Sequence, residues 1–218
     1  MADIQSRAGQ RYGSPELIDY VNELHARHDA PLAQAFAAPG LHEMPAIQLG
    51  PSEGKLVGLL IALTGARKVV EVGTLAGYSA IHIARALPPD GKLWTIEYDP
   101  HHAQVARASI AAAGLERKVE VLVGRGRDVL EQLASQAPFD AVFLDADKVS
   151  YDFYGQWAAR HLRPGGLLLG DNAYLFGRLL EDSDEGRAMR RFHEEAARHF
   201  DSVCIPTPDG LLLGVKRS

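Results

Sequence analysis

Cysteine is almost absent from this chain, since Cys204 is the single cysteine among 218 residues. One cysteine excludes an intrachain disulfide and a cysteine-based zinc site within one chain, and it fits a reducing compartment. The sequence also lacks an apolar run of about 18 residues, the length that a membrane-spanning helix needs. Residues 1–16 are polar and have no apolar core of a signal peptide. We therefore expect a cytoplasmic protein that does not bind a membrane.

Positive charge is scarce as well, because 23 lysines and arginines stand against 28 acidic residues and give a net charge of −5. A broad basic surface is what usually binds a nucleic-acid backbone. The chain further lacks the G-x-x-x-x-G-K-[ST] phosphate loop, the G-x-S-x-G hydrolase elbow and the H-E-x-x-H zinc motif. We expect no nucleic-acid partner and none of these three chemistries.

What the sequence does contain is a regular alternation of β-rich and helical segments from residue 68 onward. This alternation predicts βαβ units and a parallel sheet. The last two strands are joined by three residues, too few for a parallel crossover, so the final strand should be reversed. The fold is predicted to be α/β, with a Rossmann-like sheet of seven strands. The predicted strands are 68–73, 92–99, 118–124, 140–145, 165–172, 201–206 and 210–217, and the helices are 79–87, 100–114, 128–136, 151–162 and 184–199.

Two helices are predicted before the sheet. The first covers 14–38, because Ser14-Pro15 has the residue types of a helix start, and Pro39-Gly40 is expected to break the chain after it. The second covers about 52–64, with Ser52 as its expected N-cap. We expect these helices to form an N-terminal helical cap on a single domain.

Acidic residues end four of the first five predicted strands. They are Glu71, Glu97, Asp145 and Asp171, the last followed by Asn172. In an open α/β sheet, ligands bind at the carboxyl ends of the strands. This edge carries more acid than turns alone require, so we expect a binding site there.

The stretch EVGTLAGYS, residues 71–79, lies where a cofactor would bind. Gly73 and Gly77 allow a tight turn and close approach of the backbone to a ligand, but they do not follow the G-x-G-x-x-G order of a dinucleotide site. Glu97 ends the second strand, where a carboxylate can accept hydrogen bonds from a ribose diol. The pattern favours a nucleoside-bearing cofactor. The alternative is that the glycines only make a turn and that Glu97 is a solvated strand end.

Asp145, Asp171 and Asn172 predict a cation site. If strands four and five are neighbours, their ends lie about 5 Å apart, and three oxygen ligands could converge on a hard ion such as Mg²⁺. Lys148 follows Asp145 by three residues and could act as a general base. The alternative is a helix-capping turn with a solvated lysine. Asp147 could contact the site, cap a helix or contact a substrate, and its role stays open.

Three segments resemble one family, the cation-dependent O-methyltransferases that use S-adenosylmethionine and include catechol and caffeoyl-CoA O-methyltransferases. They are VVEVGTLAGYSAIHIARALPPDGKLWTIEYDP, FLDADKVSYDFY and LLLGDNAYLFG. The resemblance extends from about residue 41 to the C-terminus. It implies one class I methyltransferase domain over 1–218, with 1–50 as an N-terminal helical cap at the substrate entrance and 51–218 as the cofactor- and metal-binding core. It also implies a homodimer.

The resemblance also implies roles for individual residues. Lys148 would be the catalytic base, Glu97 would bind the ribose and Gly126 would lie beside the adenine. The acceptor would be a small aromatic molecule with two neighbouring hydroxyls. The implied cofactor-binding residues are Leu49, Glu71, Gly73, Ser79, Glu97, Gly126 and Asp145, and the implied ligands of Mg²⁺ or another divalent cation are Asp145, Asp171 and Asn172.

The chain departs from the family pattern where the acceptor would bind. Val149-Ser150 stands where relatives often have Asn, and Ala173-Tyr174-Leu175-Phe176 stands where they often have Trp. The segment SVCIPTP offers no match for the acid that the animal catechol enzyme has near the second hydroxyl. The acceptor and the regiochemistry therefore stay open. Alternatives are a methyltransferase for a non-catechol acceptor, RNA or protein included, a nicotinamide-dependent oxidoreductase, or a non-catalytic scaffold.

Overall fold

The computed structural model describes residues 13–218, and its N-terminal part contains three helices where the sequence predicts two. Helix α1 (Pro15–His25) follows Ser14, whose hydroxyl accepts a hydrogen bond from Leu17 N–H. Helix α2 (Ala30–Leu41) follows Asp29, whose carboxylate accepts from Leu32 N–H at 3.1 Å. The prediction of one helix over 14–38 was therefore wrong, because Asp29 starts a new helix.

Two predicted boundaries near the end of this region were also wrong. Pro39 lies inside α2, in its last turn, where the lost N–H donor removes only one bond of the helix. The third helix, α3 (Pro51–Thr64), begins after Gly50, whose N–H donates to the Glu53 carboxylate at 2.9 Å. Ser52 therefore lies within the helix and does not cap it; its hydroxyl instead contacts the side chain of Asn22.

The rest of the chain forms the predicted alternation, with boundaries shifted by a few residues. Predicted strand five ends at Gly170, so Asp171 and Asn172 follow it rather than belong to it. The strands are β1 (Lys68–Val72), β2 (Lys92–Glu97), β3 (Val119–Val123), β4 (Phe139–Leu144), β5 (Leu162–Gly170), β6 (Phe200–Ile205) and β7 (Leu211–Lys216), and the helices are α4 (Tyr78–Ala86), α5 (Pro100–Ala112), α6 (Gly126–Leu133), α7 (Tyr151–His161) and α8 (Asp184–His199).

The seven strands form one sheet in the order β3-β2-β1-β4-β5-β7-β6. Strand β7 runs antiparallel to both β5 and β6, so the predicted reversal of the final strand is confirmed. Strands β4 and β5 are parallel neighbours, which was the condition for bringing Asp145 close to Asp171. The strand order changes direction between β1 and β4, and a crevice opens at such a point in an open sheet.

Helices cover both faces of the sheet. Alternate residues of a central strand therefore enter different cores: Val69 belongs to the cluster that includes α3, α4 and α5, whereas Val70 belongs to the cluster that includes α7 and α8. The second core contains the fully buried rings of Tyr151, Trp157 and Phe192. Within residues 13–218, no helix has both the length and the apolar character needed to cross a membrane.

Candidate active site

A cavity of about 980 Å³ lies at the carboxyl ends of the central strands. Ten residues are predicted for the site, and eight of them line this cavity. Glu71 and Asp171 lie behind its wall, with 0% and 7% of their surface exposed. The lining members of the predicted set are Leu49, Gly73, Ser79, Glu97, Gly126, Asp145, Lys148 and Asn172.

The turn after β1 brings two strand ends into contact. Gly73 has φ +97°, and a Cβ there would lie 1.8 Å from the main-chain oxygen of Asp145. Gly77 has φ +86° and precedes the first residue of α4. The backbone just after β4 therefore leaves room only for glycine at position 73, whether or not a ligand is bound. Gly73 also lines the cavity.

Glu97 is held in a fixed orientation at the end of β2. Its Oε2 accepts hydrogen bonds from Leu75 N–H at 2.8 Å and Thr74 N–H at 3.2 Å, and its Oε1 accepts from Asp99 N–H at 3.0 Å. The ring of His102 lies 3.7 Å from Oε1. Only 8% of Glu97 is exposed, so it is not a solvated strand end. A carboxylate can accept about four hydrogen bonds, which leaves capacity for a ligand hydroxyl.

Glu71 lies one layer deeper. Thr95 donates its hydroxyl to Oε2 at 2.5 Å, and the Thr74 hydroxyl lies 2.6 Å from that of Thr95. The other oxygen, Oε1, has no partner within residues 13–218. Burial raises the pKa of Glu71 to about 7, although the nearby Ser79 and Thr95 hydroxyls favour the charged form. Glu71 therefore lies behind the wall of the cavity and does not line it.

Lys148 and Tyr151 follow β4. The Lys148 ammonium donates to the Tyr151 hydroxyl at 2.8 Å and lies 3.4 Å from Asp145 Oδ1. The Tyr151 hydroxyl lies 3.0 Å from the main-chain oxygens of both Leu144 and Asp171 and donates to one of them. Lys148 begins a short 3₁₀ helix, Lys148–Ser150, and its side chain is only 11% exposed. It is not a solvated lysine.

The pKa values of both acidic groups that follow β4 and β5 are raised. Burial raises the pKa of Asp171 to about 7, and the charge of Asp145 adds to this shift. Burial also raises the pKa of Asp145, while Lys148 opposes the change. Main-chain pairing places Asp171 beside this strand end, since its N–H donates to Leu144 O at 2.9 Å. Two carboxylates with raised pKa values form a site that a cation would stabilise.

Asn172 supplies the third predicted oxygen ligand, and its backbone has φ +54°. Asparagine tolerates this left-handed conformation better than most residues. Within the described part of the chain, no group of three or more His, Cys, Asp or Glu side chains could hold a metal ion. Any cation at this edge would therefore depend on a mixed set of carboxylate and amide oxygens.

Tyr154 is a site residue that the sequence analysis missed. Its hydroxyl donates to Asp147 Oδ1 at 2.6 Å, and both residues line the cavity. A Cβ at Gly126 would lie 2.5 Å from the same hydroxyl, so the three residues meet at one end of the cavity. Asp147 makes no side-chain capping bond to the 3₁₀ helix that follows it. The spacing of seven residues between Asp147 and Tyr154 was the sequence signal from which this contact could have been predicted.

The N-terminal cap forms another wall through the segment between α2 and α3. Pro45, Ile47, Gln48 and Leu49 line the cavity. Phe176, from the loop after β5, also lines the cavity and leaves 63% of its surface exposed. The four residues of the α2–α3 segment bring part of the predicted cap to the cavity, and the role of the cap as a substrate entrance stays a prediction.

The reversed β7 and the strand order define a class I methyltransferase fold, with a carboxylate-lined cavity at the carboxyl ends of its central strands. A sequence model of the O-methyltransferase family matches residues 25–217. The catechol O-methyltransferase of Niastella koreensis is 41% identical over 191 residues, which are 86% of this chain and 84% of that enzyme. The catechol O-methyltransferase of Mycobacterium tuberculosis is 38% identical over 217 residues, 95% and 98% of the two chains.

Solved structures give the same result. The O-methyltransferase TomG from Streptomyces achromogenes, in complex with SAM, has a TM-score of 0.87 and 36% identity, with 93% of this chain and 96% of that chain covered. An O-methyltransferase from Bacillus cereus, in complex with SAH, has a TM-score of 0.89 and 32% identity, with 93% and 97% covered. The chain belongs to the O-methyltransferase family. The predicted enzyme class, an S-adenosylmethionine-dependent O-methyltransferase, is confirmed, and the oxidoreductase alternative is not.

Proposed function

We propose that this protein transfers the methyl group of S-adenosylmethionine to a hydroxyl of a catechol-like aromatic molecule and that the reaction requires a divalent cation, Mg²⁺ in the first instance. The arrangement of Asp145, Lys148, Asp171 and Asn172 at the ends of β4 and β5 carries this proposal. The names of the two catechol O-methyltransferase relatives support the acceptor class. The complexes of TomG and of the Bacillus cereus enzyme support the cofactor.

The cofactor would lie along the cavity wall made by β1, β2 and the start of α6. Glu97 would accept hydrogen bonds from the ribose hydroxyls, and Gly126 would lie beside the adenine. Asp147 is a further candidate for this end of the cavity, because its carboxylate could accept from the exocyclic amino group of adenine. Leu49, Gly73 and Ser79 would surround the methionine end, and Glu71 and Asp145 would act close to it.

Asp145, Asp171 and Asn172 would hold the cation, since their oxygens suit a hard ion and they follow the neighbouring strands β4 and β5. A bound divalent cation would supply Lewis-acid polarisation of the acceptor hydroxyl. With Nζ as the neutral amine, Lys148 would take the proton of that hydroxyl and become the ammonium. Tyr151 fixes Nζ by a 2.8 Å hydrogen bond, so the base has one position relative to the cavity.

Methyl transfer would then depend on the orientation of the acceptor oxygen relative to the methyl group of S-adenosylmethionine. The acceptor oxygen forms a bond to the methyl carbon while the bond from that carbon to sulfur breaks, and S-adenosylhomocysteine is released. The low exposure of Lys148 limits competing water around the proton acceptor. A homodimer remains a prediction from the family resemblance.

The test is methyl transfer from S-adenosylmethionine to a panel of catechols, measured with Mg²⁺ and with an excess of chelator. We expect methylated product only when the cation is present. Product at full rate in excess chelator would contradict the metal-dependent mechanism. Binding of S-adenosylhomocysteine without any product would instead support an acceptor outside the catechol class.

A further inference from the structure

The loop after β5 is joined to the turn between β6 and β7 by three hydrogen bonds. Ala173 N–H donates to Gly210 O at 2.9 Å, and Tyr174 N–H donates to Asp209 O at 2.9 Å. The third bond involves a side chain, because Phe176 N–H donates to Asp209 Oδ1 at 2.8 Å. One carboxylate, 33 residues further along the chain, therefore holds the backbone of Phe176.

Phe176 has a backbone conformation that a bulky residue disfavours. Its φ is +52° and its ψ is +37°, in the left-handed region, and Leu175 before it has φ +51°. Such conformations persist only where the surrounding structure holds them. Leu175 is fully buried in the second core, whereas Phe176 leaves 63% of its surface exposed. Packing therefore holds Leu175, and the conformation of Phe176 depends on the bond to Asp209.

The ring of Phe176 lies on the side of the cavity that the proposed cofactor does not occupy. The sheet order places β5 across the crevice from β2 and β3, and Phe176 follows β5. Phe176 lines the same cavity as Lys148 and Asn172 but is mostly exposed, so it stands at an opening. Under the proposed function, the acceptor oxygens are directed to Lys148 and the cation. The acceptor ring then extends away from them, and an aromatic side chain at the opening can pack against it.

We infer that Asp209 sets the position of the Phe176 ring against the aromatic acceptor, which makes Asp209 a positioning residue for acceptor binding. The inference rests on the proposed function. Asp209 is not among the cavity-lining residues of the described chain, so it acts through the main chain of Phe176. The bonds of Ala173 and Tyr174 go to main-chain oxygens and do not need the carboxylate, so a variant without it keeps the rest of this contact.

The test is a double-mutant cycle on the full chain. Asp209→Ala removes the carboxylate, Phe176→Ala removes the ring, and a third protein carries both substitutions. Methylation of a catechol at saturating S-adenosylmethionine and Mg²⁺ gives kcat and the acceptor KM for each protein. The Mg²⁺ concentration for half-maximal rate and the dissociation constant of S-adenosylhomocysteine are measured as well.

We expect Asp209→Ala to raise the acceptor KM about tenfold and to leave kcat within about twofold, as for loss of a hydrogen bond to a charged group that serves binding. Phe176→Ala should raise KM at least as much, and the double variant should match it, because Asp209 acts through that ring. Asp209→Asn keeps an oxygen for Phe176 N–H and should recover most of the loss. Asp201→Ala, at an exposed position of β6, is the matched control and should change nothing.

Four results would overturn the inference. An unchanged KM in Phe176→Ala, an exposed position where the variant should fold, would show that the ring does not meet the acceptor. An unchanged KM in Asp209→Ala would show that the two main-chain bonds suffice. A KM in the double variant far above that of Phe176→Ala would give Asp209 another route to the acceptor. A parallel rise in the Mg²⁺ requirement of Asp209→Ala would assign the carboxylate to the support of Asn172.

Failure of the proposed function is distinct from these results. It would appear before any substitution, as a lack of methylation of every catechol by the unmodified protein with Mg²⁺ present, and the inference would fail with it.

Discussion

The hydroxyl of Tyr151 lies 2.8 Å from Nζ of Lys148 and 3.0 Å from the main-chain oxygen of Asp171. One buried phenol thus connects the proposed base to the end of β5, where the proposed cation ligands begin. Tyr151 is fully buried, and burial raises its pKa well above the ordinary value, so it stays protonated and can donate to a carbonyl. The relative position of base and cation site therefore depends on a side chain that contacts neither cofactor nor acceptor in the proposed mechanism.

Replacing Tyr151 by phenylalanine tests this connection. The variant removes the hydrogen-bond partner of Lys148 and keeps the ring in the core. We expect kcat to fall by about tenfold, since a hydrogen bond that orients a catalytic group is worth roughly 1–2 kcal/mol. The dissociation constant of S-adenosylhomocysteine should change little. Tyr20→Phe, at an exposed position of α1, is the control, and a kcat as high in Tyr151→Phe as in this control would contradict the positioning role.

Lys148→Met should lower kcat much more than Tyr151→Phe does. The substitution keeps the apolar stem of the side chain and removes the proton acceptor, and general-base catalysis typically contributes about 10²–10⁴ in rate. Binding of S-adenosylhomocysteine, measured by titration, should stay within about threefold of the unmodified protein because the proposed base does not contact the cofactor's binding groups. A large loss of cofactor affinity with an unchanged kcat would assign Lys148 to binding instead. Lys92→Met, which removes a lysine paired with Glu120 at the start of β2, is the matched control.

The raised pKa of Glu71 leads us to expect that the stability of the protein depends on pH. Its pKa is about 7 in the folded protein because of burial, whereas a carboxyl group in an unfolded chain has a pKa near 4.3. Between these values the folded state holds a proton that the unfolded state has lost. The contribution of Glu71 to the free energy of unfolding is therefore most favourable at low pH and decreases as the pH rises toward 7.

Glu71→Gln removes this titration and keeps the shape of a protonated carboxyl group. Between pH 5 and pH 8, we expect the free energy of unfolding to fall less in the variant, so that the difference in favour of the variant grows by roughly 2–3 kcal/mol. Denaturant unfolding at the two pH values, without added cation, measures this. An identical pH dependence in both proteins would show that Glu71 is not protonated when folded.

Much of the sheet and of its acidic edge could be predicted from the sequence because both follow from local patterns. Alternating strands and helices specify a parallel sheet, and the carboxyl ends of parallel strands share an edge. Asp145 and Asp171 could therefore be placed together once β4 and β5 were neighbours. The start of α2 was missed, although Asp29 followed by Pro31 resembles the helix start at Ser14 and Pro15.

Contacts between distant segments could not be predicted in the same way. The Gln48 amide bonds to Phe36 O, and the position of that oxygen depends on how α2 lies against the α2–α3 segment. The role of Glu71 at the cofactor stays a prediction, but its complete burial could not be predicted, because burial depends on how other segments cover the end of β1. The meeting of Gly126, Tyr154 and Asp147 likewise depends on how α7 approaches the start of α6.

A comparison of two glycines with similar backbone angles distinguishes the cost of backbone strain from the cost of a steric clash. Gly73 has φ +97° and Gly177 has φ +79°, but a Cβ at Gly73 would lie 1.8 Å from Asp145 O, whereas a Cβ at Gly177 meets nothing within 4 Å. Gly177→Ala should cost about 1–2 kcal/mol of unfolding free energy through its backbone angle alone. Gly73→Ala carries a similar strain and must also separate β1 from β4, so it should cost at least about 3 kcal/mol.

Denaturant unfolding of both variants measures the difference. The displacement in Gly73→Ala would move Asp145. The variant should therefore lose more activity than the decrease in its folded fraction explains. Folded Gly177→Ala should retain its cofactor affinity. Equal losses of stability in the two variants would show that the end of β4 can move away from Gly73 at little cost. Asp145 would then be held by its own strand rather than by the glycine turn after β1.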